Sequence, residues 1–219
     1  MSTVAPDDAA SRMARMYGWQ RHLYDLSRKY YLWGRDRLID ELALAPDEAL
    51  LEVGCGTGRN LIAIAKRYPM SPLYGFDAAE PMLDVARSKV EGAGLDDRIT
   101  LAFGLAGTGV ERTLFDRPAF ERIAFSYALS MFDDPAGAVD TALAALVPGG
   151  RLHVVDFGLM EGLPSPLRAG LRAWLRSFHV HPSAAAAERL AAHRAAAGGE
   201  LRVESLAGGY AQLLEYRAA

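Results

Sequence analysis

From Glu52 to Gly58 the chain reads E-V-G-C-G-T-G, with glycines at alternate positions behind a carboxylate. Glycine there lets the backbone turn sharply and lets a ligand come close to it. The apolar run ALLEV ahead reads as a buried strand, and GRNLIAIAKR behind reads as a helix. The helix N-terminus, with its free N–H groups, then points at the same spot. Nineteen residues after Gly58, Asp77 ends the run PLYGFD. A carboxylate placed there can accept both hydroxyls of a ribose. The loop is not the dinucleotide fingerprint. Counted from Gly54, G-x-G-x-x-G requires glycine at position 59, and Arg59 stands there. A nicotinamide dehydrogenase is disfavoured on that ground.

The elements that must position these groups alternate along the chain. After the first strand and helix come PLYGFD as a second strand and a helix opened by Pro81. ITLAF reads as a third strand and RIAFSYAL, from Arg122, as a fourth. A helix follows Asp134-Pro135, Pro148-Gly149-Gly150 reads as a turn, and RLHVVDFG as a fifth strand. Such alternation implies an α/β architecture, a parallel sheet with helices on both faces. LRVESLAGGYAQLLEYR offers two more strands split at Gly208-Gly209, a hairpin that closes the sheet. Residues 1–10 read as a disordered tail, 11–45 as a helical cap and 46–219 as the main domain. An insertion at about 161–197 reads as a lid or membrane-facing segment, and its Ala-rich part, 184–197, as a surface helix.

A chain of 219 residues can bury a sizeable core. With 51% hydrophobic and 23% charged residues it falls among ordinary globular proteins. A net charge of −3 argues against nucleic acid as a partner. Cys55 is the one cysteine, which excludes an intrachain disulfide and fits a reducing compartment. The start, MSTVAPDDAASR, is polar and acidic, unlike a signal peptide, and no apolar run would span a bilayer. The expected location is cytoplasmic, with the inner face of the membrane within reach. His179 and His181 lack a further Cys/His cluster and are read as polar residues at the mouth of a site, not as metal ligands.

LLEVGCGTGRN, YGFDAAEPML and LVPGGRLHVVDFG, in that order, resemble the class I S-adenosylmethionine-dependent methyltransferases over roughly residues 48–160. The resemblance implies a Rossmann-like fold, a seven-stranded, mostly parallel sheet ending in a β-hairpin. It implies S-adenosyl-L-methionine as cofactor and S-adenosyl-L-homocysteine as product. Gly54, Gly56 and Gly58 would line the methionine moiety, with Glu52 organising the loop. Asp77 would hold the ribose and Met82 would pack near the adenine. The usual acid after the third strand is missing at Leu105-Ala106, so the adenine contact at Ala106 would be through backbone. Ser126 and Tyr127 end the fourth strand, where such enzymes meet the transferred methyl group.

The cap and the insertion are the expected seats of acceptor choice. Tyr17, Tyr24 and Tyr31 recur every seven residues, as do Arg21, Arg28 and Arg35 on a neighbouring face. The tyrosines are either the core-facing side of the cap or rings for a cationic nitrogen. The arginines are either a solvated face or a clamp for a carboxylate or phosphate. In the insertion, Leu167, Leu171, Trp174, Leu175 and Phe178 form an apolar face, flanked by Arg168, Arg172 and Arg176, and no acid falls between Leu163 and Ala187. That make-up suits a helix lying in a membrane interface or one packed on the sheet.

YDLSRKYYLWGRD, FSYALSMF, DFG and WLRSFHVHP together resemble the bacterial betaine-lipid N-methyltransferases. That resemblance implies successive methylation of diacylglyceryl-homoserine to its trimethylated form, with an upstream homoserine-lipid synthase as pathway partner. A neutral amine needs only to lose a proton, so no strong base is required. Tyr24, Tyr31 and Tyr127 are then expected to line the reacting groups. Tyr17, Arg28, Arg35 and His179 are expected to hold the lipid headgroup. The alternatives are a phosphatidylethanolamine or quinone methyltransferase and, in another class, a non-catalytic cofactor-binding membrane adaptor.

Overall fold

The computed structural model describes residues 32–219. Tyr17, Arg21, Tyr24, Arg28 and Tyr31 lie outside the described residues. The described part of the cap begins with Leu32, buried, and Trp33, 57% exposed. It continues as helix α1 (Arg35–Glu41). The helix stops short of the expected residue 45. Ala43 and Asp47 adopt left-handed φ values of 44° and 67° around Pro46. The Arg122 guanidinium takes the carbonyls that the ended helix leaves free, donating to Leu42 O at 2.9 Å and Ala43 O at 3.2 Å.

The alternation read from the sequence is present. In chain order it runs β1 (Leu50–Val53), α2 (Arg59–Arg67), β2 (Leu73–Asp77), α3 (Glu80–Gly92) and β3 (Ile99–Phe103). There follow β4 (Phe120–Ser126), α4 (Pro135–Ala144), β5 (Leu146–Phe157), α5 (Ser165–Arg176), α6 (Ala185–Ala197), β6 (Glu200–Leu206) and β7 (Ala211–Arg217). The strands make one sheet in the order β3-β2-β1-β4-β5-β7-β6. Neighbours from β3 through β5 are parallel, and β7 runs antiparallel to both β5 and β6. All four residues of β1 are buried, as expected of a strand covered on both faces.

One face of the sheet is covered by α1, α2, α3 and Leu175 of α5. The other is covered by α4 and α6, whose Ala186 and Leu190 are buried. The sheet order reverses between β1 and β4, so the crevice that open α/β sheets use for ligands lies beyond their carboxyl ends.

Pro148-Gly149-Gly150 is not a chain-reversing turn. It lies inside β5, where the β4–β5 register passes from Phe120↔Leu146 to Arg122↔Arg151. The extra residues form a bulge that Gly149 accommodates with φ 73°. The expected hairpin is present, reversing through Gly208 and Gly209 at φ 66° and 83°.

Candidate active site

The glycine loop leaves β1 and is tied to β2. Gly54 N–H and Cys55 N–H donate to Phe76 O at 2.9 and 3.0 Å. Gly54, Gly56 and Gly58 all have left-handed φ, at 71°, 53° and 70°. A Cβ on Gly54 would meet Ala128 Cβ at 2.9 Å, whereas a Cβ on Gly56 would have no heavy atom of the described residues within 4 Å. Gly54 is therefore glycine for packing, and no described residue crowds Gly56. No side chain caps the N-terminus of α2. The Asp77 carboxylate ties the loop from the other side. Oδ2 accepts Gly56 N–H at 2.8 Å and Oδ1 accepts Ala79 N–H at 2.9 Å.

Beneath the loop, Glu52 is 2% exposed. Its Oε1 accepts Asn60 Nδ2 at 2.6 Å, which fixes the first turn of α2 to β1. Oε2 is buried without a hydrogen-bond partner among the described residues. Burial pushes the carboxyl up to about 7, against the Asn60 hydrogen bond and the positive charge of Arg35, while Asp77 adds to the rise. The Arg35 charge thus acts on the buried Glu52 beneath the loop.

At the end of β4, Ser126 Oγ is buried without a hydrogen-bond partner. Tyr127 follows with φ 55° and is 4% exposed. Its hydroxyl donates to Trp33 O. Its ring packs edge-on against Phe157, with centroids 4.7 Å apart. Burial, then the charge of Asp156, pushes the phenol far above its ordinary range. Tyr127 is therefore a buried, neutral phenol whose donated hydrogen bond pins the cap to the sheet. Asp156, on β5, is 3% exposed. Burial pushes it up to about 6, opposed by hydrogen bonds from backbone N–H groups, those of Ser130 and Phe157 among them.

Met82 is buried in α3. The turn after β3 runs alongside Asp77, with Gly104 N–H donating to Asp77 O at 3.1 Å. In that turn Ala106 is half-buried and Leu105 is 43% exposed. His179 is exposed at the end of α5 with φ 57°. The apolar face of α5 is mostly spent on packing. Leu175 is 1% exposed and Leu171 and Phe178 pack against the core, leaving Leu167 at 53% and Trp174 at 40%.

The structure thus gathers Glu52, the three glycines and Asp77 at one end of β1 and β2, and Ser126 and Tyr127 at the end of β4. Asn60 and Asp156 were missed from sequence. The signal for Asp156 was a lone acid ending the apolar run HVV.

An α/β sheet with an open glycine loop, an uncapped helix start and a carboxylate closing β2 defines a protein that holds a nucleoside-bearing donor. The family model described as "Methyltransferase domain" matches residues 50–150. The demethylmenaquinone methyltransferase of Thermus thermophilus is 31% identical over 139 residues, covering 61% of this chain and 60% of that protein. The ubiquinone/menaquinone biosynthesis C-methyltransferase UbiE of Dinoroseobacter shibae is 30% identical over 187 residues, covering 82% of this chain and 71% of that protein. An O-methyltransferase family protein from Burkholderia thailandensis shares the fold with a TM-score of 0.71, at 17% identity, over 94% of this chain and 62% of that one. The chain belongs to the class I S-adenosylmethionine-dependent methyltransferases.

Proposed function

We propose that this enzyme methylates an acceptor carried in a membrane, and that the acceptor is a lipid-soluble quinone precursor methylated on carbon. The observation that carries the reading is the likeness to the UbiE protein, 30% identical across 82% of this chain. The exposed Leu167 and Trp174 of α5, with Arg168, Arg172 and Arg176 on the same helix, suit approach to a lipid surface from the inner face of the membrane. Among the described residues no helix is long and apolar enough to cross a membrane.

The donor fits the crevice. When bound, S-adenosylmethionine supplies an electrophilic methyl group on sulfonium. Gly54, Gly56 and Gly58 would face its methionine end, where the space over Gly56 is open. Asp77 would accept the ribose hydroxyls, and Met82 and Ala106 would flank the adenine. Ser126, at the end of β4 with a buried hydroxyl, would stand on the cofactor's side of the transferred methyl group. Holding the partners in line supplies up to about 7–11 kcal/mol of the acceleration in favourable cases.

A second reading is N-methylation of diacylglyceryl-homoserine, with the homoserine-lipid synthase as upstream partner. The repeats Tyr17, Tyr24, Tyr31 and Arg21, Arg28, Arg35 favour it, as a ring set for a methylated ammonium and a clamp for its carboxylate. Purified protein is given labelled donor and vesicles carrying either demethylmenaquinol or diacylglyceryl-homoserine, with phosphatidylethanolamine as a third arm. Label in the quinol supports the first reading. Mono-, di- and trimethylated homoserine lipid replaces it with the second. Label in neither overturns both.

A further inference from the structure

We propose that Asp156 is a positioning residue for the acceptor side of the crevice: it holds the turn after β4 and, through that turn, the segment joining α5 to α6. The inference rests on the methyl-transfer reading of the crevice at the ends of β4 and β5. Nothing in the donor half of the site requires it.

Both carboxylate oxygens of Asp156 are engaged. Oδ1 accepts Phe157 N–H at 2.7 Å and Oδ2 accepts Ser130 N–H at 3.1 Å. Ser130 sits in a single 3-10 turn, Leu129–Met131, immediately beyond Ser126 and Tyr127. The same residue's carbonyl accepts His181 N–H at 2.7 Å. Three elements are thereby linked in series: the end of β5, the turn after β4, and the α5–α6 connection. Val180, beside His181, is 5% exposed and its N–H donates to Leu175 O at 3.1 Å, so the link continues into the end of α5.

The residue type matters. Asp156 stands at the end of a strand whose last residues are all buried. A buried carboxylate is costly there and would be replaced by an apolar residue if filling space were its task. A carboxylate accepts from two N–H groups at once and donates to neither. An amide of the same shape must present its NH2 to one of them. Asp156→Asn therefore loses one end of the link while keeping the volume.

The donor-side contacts, Asp77 to Gly56 and Ala79, belong to β2 and the glycine loop and are not in this series. Donor and acceptor effects should therefore separate. Full-length Asp156→Asn and His181→Pro are compared with wild type. The second variant removes the N–H that Ser130 O accepts and leaves Asp156 in place, at the cost of the imidazole and a fixed φ at 181. Hydrogen exchange should rise at residues 129–132 and 177–184 in both, with α2 and α3 unchanged. S-adenosylhomocysteine affinity by calorimetry should stay within twofold. KM for whichever vesicle acceptor is turned over should rise at least tenfold, with a smaller fall in kcat. The proposal is overturned if cofactor affinity falls as much as KM rises, if exchange loosens across the whole sheet, or if His181→Pro leaves both KM and local exchange at wild-type values. Failure to turn over either acceptor would sink the functional reading, while the exchange pattern would still decide the link.

Discussion

Replacing Gly56 by alanine separates what the glycine loop does for the fold from what it does for the donor. Gly56 has φ 53°, so alanine there carries left-handed strain of about 1–2 kcal/mol. Among the described residues no heavy atom lies within 4 Å of the added Cβ, so they add no packing clash. For a chain of 219 residues, each kcal/mol lowers Tm by about 2–4 °C. Gly94 is the matched control, with φ 63° and the same open surroundings at the end of α3. The two variants should lose similar stability in a thermal melt. They should part in calorimetry with S-adenosylhomocysteine. If the methionine end of the ligand occupies the space over Gly56, an intruding methyl costs it about 1–3 kcal/mol. That is about 5- to 150-fold in Kd. Gly94→Ala should bind as wild type does. Equal affinities for the two variants would refute the placement of the donor over the loop.

Tyr127→Phe removes the hydroxyl that donates to Trp33 O and should cost about 1–2 kcal/mol of stability in denaturant unfolding. Its kcat should stay within about threefold of wild type, because methyl transfer makes no use of a phenol held neutral by burial. Glu52→Gln should gain stability relative to wild type as pH rises. The folded carboxyl sits at about 7, above its ordinary 4.5, so the wild-type contribution is present below 4.5 and is lost as pH rises through 7. Melts between pH 4.5 and 8 check this, and a constant difference would refute it. His153→Gln tests the opposite sign. Burial, with the charges of Arg122 and Arg151, pushes His153 down to about 3, so the unfolded chain takes a proton first as pH falls below 6.5. Wild type should lose up to about 1.4 kcal/mol per pH unit from this group between 6.5 and 3, and the variant should not.

The donor half of the site was legible because its signals are local. Alternate glycines after a strand permit a left-handed φ at each position, and all three adopt it. Asp77 could be placed by counting along one βαβ unit. The acceptor half was less legible because it depends on register between strands. Asp156 meets Ser130 only because Ser126 pairs with Val155. Asn60 reads as one more polar residue of α2 until the chain folds and brings it onto Glu52. Helical periodicity left two readings of α5 open for a related reason. A pattern shows that one face is apolar and cannot show what covers it, and Leu171, Leu175 and Phe178 turned out to pack inward. Pro148-Gly149-Gly150 carries turn chemistry that β5 absorbs as a bulge.

Arg35 shows how much the surroundings of a residue decide. By spacing it belongs with Arg21 and Arg28, as a solvated face or a clamp for substrate. In the fold it opens α1, two residues beyond the Trp33 carbonyl that Tyr127 holds. Gly34, between them, has φ 83°, and a Cβ there would meet Leu206 at 2.7 Å and Val155 at 3.2 Å. The chain is thus gripped where it passes the ends of β4, β5 and β6. From that fixed point the Arg35 charge favours the ionised forms of both Glu52 and Tyr127. Burial outweighs it at both, so its effect is graded: it moderates the rise at Glu52 without abolishing it. The segment entering the domain therefore supplies charge beneath the donor loop and a carbonyl at the acceptor end. Any change that shifts this entry by a residue would disturb both halves of the site together, whereas changes to Asp77 or to Asp156 should each disturb one.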